Sequence, residues 1–537
     1  MKPPAKISSA NLYDRLSLIL LTGFVCIVLI TLPDFGMSWD EPARWQGGQQ
    51  KLLYYHALFS GEDPSVFVQT PDRYPGLFDL SVALLNEATG LGLFLSGHIL
   101  SSVFGILGII AVWRIAHLMG GPRAGFWALL LIVLFPRYYG HLFFNPKDIP
   151  FAAAWAWATY GLIRIFPSLP LPSYKKSIGL GVLIGLCISI RFAGVFLIGV
   201  SAIVALIALG LQIRDGTIPK GKRGISLIRL VSRGLTLCLA SLLTMLPFWP
   251  YAQQFPVEAL LGAAEATAHY DWNGLVLYCG EYVPAKNLPW HYLPVWLAIT
   301  TPLTHWALLI LGLILALFAL AKRRIMNIRS GRTLLLILII LAPPTAATLK
   351  GSTIYDGLRH FLFLLPLIAV LCGLTFDQLL RRLSRFGKRV NFALSVILIA
   401  TTIPIIVSLI RLHPYQYTYF NSFIGGLKGA EGKFETDYWA LSHRENILKI
   451  RESIPPSETN GLRVYSRYLP SNLLLFGDPN WQIVSNPNKA DLIFITYRIP
   501  SSQRYSGEEV LSIGRDGVPF SSAIMPIRPG KEEIGND

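Results

Sequence analysis

Two adjacent carboxylates, Asp40 and Glu41, stand in Trp39-Asp40-Glu41-Pro42, just past an almost wholly apolar run from Leu18 to Leu32. A carboxylate at the bilayer centre costs roughly 2.5–3.5 kcal/mol, so such a pair is expected at the membrane edge, where headgroups meet water. There it can serve as a solvated helix cap. It can also act as a base that takes the proton from an attacking hydroxyl or amine, a contribution of typically about 10²–10⁴-fold. Further polar groups stand at comparable places. Arg137 to Pro150 holds His141, Asn145, Lys147 and Asp148, with Asp148 opening the next apolar run, where an acid also suits the positive end of a helix. Arg191 interrupts the apolar stretch 177–211, and Tyr355-Asp356-Gly357-Leu358-Arg359-His360 directly precedes another run. Tyr278-Cys279-Gly280-Glu281-Tyr282 and Pro289-Trp290-His291-Tyr292 form an aromatic loop that also suits an interfacial belt. Arg and His can stabilise charge growing on a departing phosphate, and Arg does so with two parallel hydrogen bonds. No P-loop, dinucleotide fingerprint or HExxH pattern occurs.

The elements that must position these groups are membrane helices. The chain is 53% hydrophobic and only 15% charged, with a mean hydropathy of +0.48, which is too apolar for a soluble protein. Its net charge of +16 lies mostly in short basic clusters between apolar runs, so it marks membrane orientation and not nucleic-acid binding. Four of the five cysteines lie inside apolar runs, so neither a disulfide framework nor a zinc spacing exists. Gly179, Gly181 and Gly185 read as close helix packing, and His98, His117 and His305 as structural histidines.

Apolar runs recur near 17–33, 93–118, 122–139, 149–166, 177–211, 232–249, 293–320, 333–349, 360–377 and 391–411. The run 177–211 has basic clusters on both flanks, so it must cross the membrane an even number of times, with Arg191 at the tip between two crossings. The total is eleven crossings, or nine and a re-entrant pair. The clusters Lys322-Arg323-Arg324 and Arg381-Arg382 then also fall inside. The region 34–92, with eight acidic residues against three basic, falls outside, as do 250–292, 350–358 and the tail from 412. The spacing predicts interfacial helices over Ala43 to Phe59 and Pro256 to His269. In the tail it predicts strands at 462–465 and 491–496, and a hairpin turn at Asp516-Gly517 before Val518 to Ile527. The expected architecture is an all-α polytopic membrane domain over 1–411, with a small α/β soluble domain over 412–537.

On these residues the chain resembles the C-type polyprenyl-phosphate-dependent glycosyltransferases, in the branch of protein O-mannosyltransferases and lipid A aminoarabinose transferases. The carrying motifs are Asp40-Glu41, Asn145-Pro146-Lys147-Asp148-Ile149-Pro150-Phe151, Asp356-Gly357-Leu358-Arg359-His360, Tyr419-Phe420-Asn421 with Gly425-Gly426, and Asp437-Tyr438-Trp439. The resemblance implies inverting transfer of a sugar from a polyprenyl-phosphate donor on the outer face of a membrane, expected to be a bacterial plasma membrane with the N-terminus cytoplasmic. It implies Asp40 as base with Glu41 beside it, and Arg359, His360 and Arg191 at the donor phosphate. Asp148 would be a second acid near the phosphate, or would join Asp40 on a divalent cation if one takes part. His141, Asn145, Lys147, Glu281 and Tyr282 are the remaining substrate-binding candidates. Lipid, glycan and protein acceptors are all candidates; the tail lacks anything resembling the lumenal β-trefoil of the mannosyltransferases, which counts against a protein acceptor and leaves another lipid, a glycan or a surface polymer equally open. The rival reading is a transporter or lipid flippase, but the charges gather at one face rather than at the midplane and no inverted repeat is visible.

Overall fold

A computed structural model describes residues 9–68, 74–268, 270–321, 328–455, 460–467 and 470–527. The helices run in chain order as α1 (Ser9–Thr31), α2 (Glu41–Ser60), α3 (Leu77–Thr89), α4 (Leu93–Gly120), α5 (Pro122–Val133), α6 (Pro136–His141), α7 (Asp148–Ile165), α8 (Tyr174–Ile188), α9 (Phe196–Arg214) and α10 (Arg223–Met245). Then come α11 (Pro250–Gln254), α12 (Pro256–Ala268), α13 (Tyr292–Thr300), α14 (Leu303–Ala321), α15 (Ile328–Lys350), α16 (Leu364–Leu383) and α17 (Lys388–Arg411). The tail adds α18 (Gly426–Ala430), α19 (Ser442–Ser453) and α20 (Pro470–Phe476).

Among the described residues eight helical segments are long and apolar enough to cross a membrane. The expected count of eleven is therefore not met by long helices alone; α5, α8 and α14 are shorter or less apolar. The basic cluster Lys322-Arg323-Arg324 lies outside the described residues. The stretch 177–211 breaks at Arg191, between α8 and α9, as a charge inside an apolar run demands. Pro136 and Pro302 break the runs 122–139 and 293–320, because proline cannot continue the helical hydrogen bonding behind it.

Close packing falls at small residues. A side chain at Gly373 of α16 would sit 2.5 Å from the backbone nitrogen of Ala128 in α5, so the two helices approach backbone to backbone. Gly181 and Gly185 do the same for α8 against α10, whereas Gly179 faces open space. His305 meets the Leu131 carbonyl at 2.9 Å and is structural. The expected interfacial helices are α2 and α12, and α2 leaves Leu53 and Phe59 bare on one side. Helix α3 had no counterpart in the sequence reading.

Two antiparallel strands, β1 (Leu275–Tyr278) and β2 (Glu281–Pro284), form a hairpin over the loop before α13. The tail carries β3 (Arg463–Ser466), β4 (Gln482–Ile483), β5 (Leu492–Thr496), β6 (Gly507–Arg515) and β7 (Val518–Pro526), in the order β4-β3-β5-β7-β6. Asp516 and Gly517 both have positive φ, the backbone that a two-residue hairpin turn requires. Residues 412–441 belong with the helices in space: Tyr415, Tyr417, Tyr438 and Trp439 are fully buried there. A side chain at Gly140 of α6 would strike the backbone of Tyr417, so this segment lies directly on α6.

Candidate active site

Beyond α1 the chain turns and is pinned by Phe35, which stacks on Phe143 at 3.8 Å, and by Ser38, whose hydroxyl oxygen lies 3.1 Å from the Phe144 carbonyl oxygen. Asp40 then occupies the N-cap of α2, yet its carboxylate caps nothing. Its Oδ2 instead accepts from Arg359 Nη1 at 2.9 Å and lies 3.6 Å from Lys147 Nζ. Burial acts to raise the Asp40 pKa, but Lys147 and then Arg359 outweigh it and hold the carboxyl well below the usual carboxylate range.

Glu41 corrects the idea of a second base at its side. Its Oε2 accepts from the Ser38 amide at 2.6 Å and the Ser38 hydroxyl at 3.0 Å, and its Oε1 lies 3.1 Å from His98 Nε2. It is buried and turned away from Asp40's partners. Successive residues on a helix point about 100° apart, so adjacent acids at a helix start do not share a target.

The turn before α7 supplies the next group. Asn145 Oδ1 accepts from the Asp148 amide at 2.8 Å and the Lys147 amide at 3.2 Å, so it is Asn145, not Asp148, that caps α7 with its side chain. Asn145 Nδ2 reaches Asp148 Oδ2 at 3.2 Å and His141 Nδ1 at 3.2 Å. His141 meets the Tyr438 hydroxyl at 2.8 Å. His141 and Asn145 are wholly buried and form a scaffold behind the site. Freed from capping, Asp148 Oδ1 pairs with Arg191 Nη1 at 2.6 Å, across from the break between α8 and α9.

The loop before α16 completes the cluster. Asp356 and Gly357 both adopt left-handed backbone, which Asp tolerates better than most residues. The turn aims Asp356 Oδ2 at Arg359 Nε, 2.9 Å away, and lets Gly357 lie against the Trp296 ring. Arg359 is 3% exposed and shared between Asp356 and Asp40, with its guanidinium 4.7 Å from the Tyr355 ring and 5.0 Å from that of Trp439. Burial alone would lower its pKa; Asp356 and Asp40 overcome that and keep the cation well above its ordinary value. His360 packs edge-on to Tyr355 and makes no hydrogen bond with another described side chain. Burial, with Arg359 and Arg191 nearby, pushes its pKa well below the ordinary histidine value, so it is neutral.

Two participants, Arg498 and Glu435, come from chain regions where sequence reasoning missed them, and a third, Trp439, stands in a motif that carried no assigned role in the site. Arg498, after β5, pairs with Asp356 Oδ1 at 2.5 Å and approaches Glu435 Oε1 at 3.5 Å, and it lies over the Trp39 ring. Trp439 donates to Asp356 Oδ2 at 3.2 Å. Glu435, buried and held by Arg498, is pushed up to about 8, chiefly by desolvation. No hydrophobic periodicity announces these residues. Among the remaining candidates, Tyr282 stands in the field of Arg504, Glu435 and Arg498. Glu281 is exposed at the start of β2 and makes no hydrogen bond or ion pair with another described side chain.

The arrangement gathers three cations, Lys147, Arg191 and Arg359, beside Asp40 and Asp148, and of these cations only Arg359 is buried. Asp40 is 20% exposed and Lys147 18%. It can hold an anionic group and offer it a carboxylate. The two acids available as metal ligands do not fit that role, since Asp40 is engaged by Arg359 and Lys147, and Asp148 by Arg191. Among the described residues no three His, Cys, Asp or Glu side chains gather as a metal site.

No curated protein sequence matches this chain. Solved structures similar to it include ArnT from Cupriavidus metallidurans bound to undecaprenyl phosphate, at 14% identity and a TM-score of 0.46, covering 94% of this chain and 97% of that one. Another is the archaeal oligosaccharyltransferase AglB from Archaeoglobus fulgidus in complex with an inhibitory peptide and a dolichol-phosphate, at 14% identity and a TM-score of 0.46, covering 88% of this chain and 65% of that one. Residues 80–231, which include Lys147, Asp148 and Arg191 but neither Asp40 nor Arg359, match the family model of dolichyl-phosphate-mannose-protein mannosyltransferase, the branch that the sequence motifs resemble.

Proposed function

We propose that this chain is an inverting glycosyltransferase that moves a sugar from a polyprenyl-phosphate donor to an acceptor at the membrane face holding Asp40. The carrying observation is that Arg359 and Lys147 both engage Asp40 Oδ2. A donor phosphate competes for these same cations. Once it draws them, Asp40 loses the charges that depress its pKa and becomes a better base, so donor binding itself readies the carboxylate. The acceptor oxygen or nitrogen then attacks the anomeric carbon, and its proton passes to Asp40. The bond from that carbon to the phosphate oxygen breaks with its electron pair moving to the phosphate. Arg359 and Lys147, with Arg191 and neutral His360 beside them, meet the added negative charge where a preorganised cation is worth most. Glu281 and Tyr282, on the exposed hairpin, are left as rim residues on the acceptor side.

The loop charges favour an outward site, with the N-terminus in the cytoplasm and the tail outside, and the family resemblance favours a bacterial plasma membrane. Adding α5, α8 and α14 as short crossings to the eight long segments gives eleven, which fits the odd number those charges require, as do nine crossings with a re-entrant pair. The full chain in liposomes, supplied with a panel of polyprenyl-phosphate sugars, should release free polyprenyl phosphate, and Asp40→Asn should stop the release. Movement of intact donor between leaflets without cleavage would make the chain a flippase instead.

A further inference from the structure

Arg359 and His360 stand before one end of α16; Arg381 stands near the other, roughly 25 Å along the helix axis at 1.5 Å per residue. At that far end a cavity of about 150 Å³ opens between α4, α14, α15 and α16. Its inner walls are apolar, with Leu315, Leu334, Leu371 and Leu374 among them, and Arg329, Gln378 and Arg381 stand in its lining. The hydroxyls of Thr333 and Thr375 are spent on backbone carbonyls of their own helices. The charged and amide donors of the lining are the two arginines and the glutamine. Arg329 and Gln378 are exposed, and their side chains make no hydrogen bond or ion pair with another described residue.

The acid in this wall does not oppose an anion. Asp377 is 2% exposed, and its two oxygens are taken at 2.6 Å by Arg123 and at 2.6 Å by Arg381. Arg381 also donates to the Gly120 carbonyl at 2.6 Å, which fixes its guanidinium while leaving N–H groups outward. Three arginines against one carboxylate leave the site cationic. A void of this volume takes a phosphate and the first methylenes attached to it, with the remaining chain in the bilayer. A basic mouth over an apolar cleft between membrane helices is the chemistry that holds anionic lipid heads. The neighbouring helix gives it a purpose: α15 buries only Leu335, Leu336, Ile339 and Ile340, so it is weakly fastened to the bundle.

We propose that this cavity, at the membrane face opposite the candidate active site, binds the phosphate head of an anionic glycerophospholipid and so ties α15 to α16. The test is lipid binding to the purified full chain by native mass spectrometry, with phosphatidylglycerol and phosphatidylcholine of equal chain length. Phosphatidylglycerol should bind at least fivefold more tightly. Arg329→Gln should lower its affinity about fivefold, the worth of one surface cation, and leave phosphatidylcholine unchanged. Ala316→Phe, which fills the cleft, should remove the preference. Equal binding of the two lipids, an unchanged phosphatidylglycerol affinity in Arg329→Gln, or displacement of the lipid by millimolar inorganic phosphate would each overturn the proposal. Arg329 is exposed and its replacement is tolerated by the fold, so the result is readable even if Ala316→Phe does not fold. Thermal unfolding in nanodiscs of the two lipids gives the same reading through α15.

Discussion

Asp40 and Arg359 lie 319 positions apart in the chain and meet at 2.9 Å. The carboxylate is an acceptor for a cation that is itself fixed by Asp356 on its other side. An isolated surface pair contributes little to stability. This one is different because Arg359 is almost fully buried, and removing one partner of a buried pair costs about 3–5 kcal/mol. The geometry separates what Asp40 does for folding from what it does for chemistry, since Asn at this position keeps an acceptor for Arg359.

Asp40→Asn is therefore expected to insert and fold while losing transfer by about 10²–10⁴-fold, measured as release of polyprenyl phosphate. Glu41→Gln is expected to behave in the opposite way. It disturbs Ser38 and His98 and lowers thermal stability, with turnover per folded molecule reduced less than tenfold. Equal loss of turnover in both would remove the assignment of the base.

The pH dependence carries a sign. In the free protein the Asp40 pKa is held well below the usual range, so the base is ionised and the acid limb of kcat/KM lies at low pH. With a donor phosphate occupying Lys147 and Arg359, the pKa rises and the acid limb of kcat moves to higher pH. The former profile reports the free enzyme and the latter the complex. Two limbs at the same pH would show that the phosphate does not draw the cations away.

Arg359→Lys keeps the charge but loses the planar fork that serves Asp40 and Asp356 together. The expected result is a donor KM at least tenfold higher with the acceptor KM little changed. Steady-state kinetics with each substrate varied in turn decide it, and an equal rise in both would argue against a phosphate contact.

Arg498 acts through Asp356 and is a positioning residue. Arg498→Met should leave Asp356 with Arg359 and Trp439 only, raise the donor KM, and lower kcat several-fold. Arg498→Lys should recover a substantial part of both. If Met and Lys variants fall equally, with matched losses in thermal stability, the role is structural alone.

The sequence carried much of the membrane framework. Arg191 had to break the run 177–211 because a charge cannot remain at the centre of an apolar helix, and the break is found there. Asp148 and Arg359 stood out for the same reason, each being a charged residue at the edge of a hydrophobic run. Other features were not legible. Proximity in sequence suggested that Glu41 joins Asp40, but one residue of helical rotation sends it to His98. His141 and Asn145 are substrate-binding candidates by resemblance, and their complete burial behind Asp148 is something no sequence pattern announces. Arg498 and Glu435 carry no local signature, because their meaning comes from how the tail sheet docks, and docking leaves no period in the sequence.

The left-handed turn at Asp356-Gly357 has a temporal consequence. Its carboxylate awaits Arg498, a partner 142 positions downstream. A ribosome adding about 5–20 residues per second therefore installs every membrane helix before this last cation exists. A nascent or truncated chain would already sit in lipid with its acids in place, yet would meet donor lipid with an unfinished cluster. Such a chain works below its full rate until its end has been made and folded back.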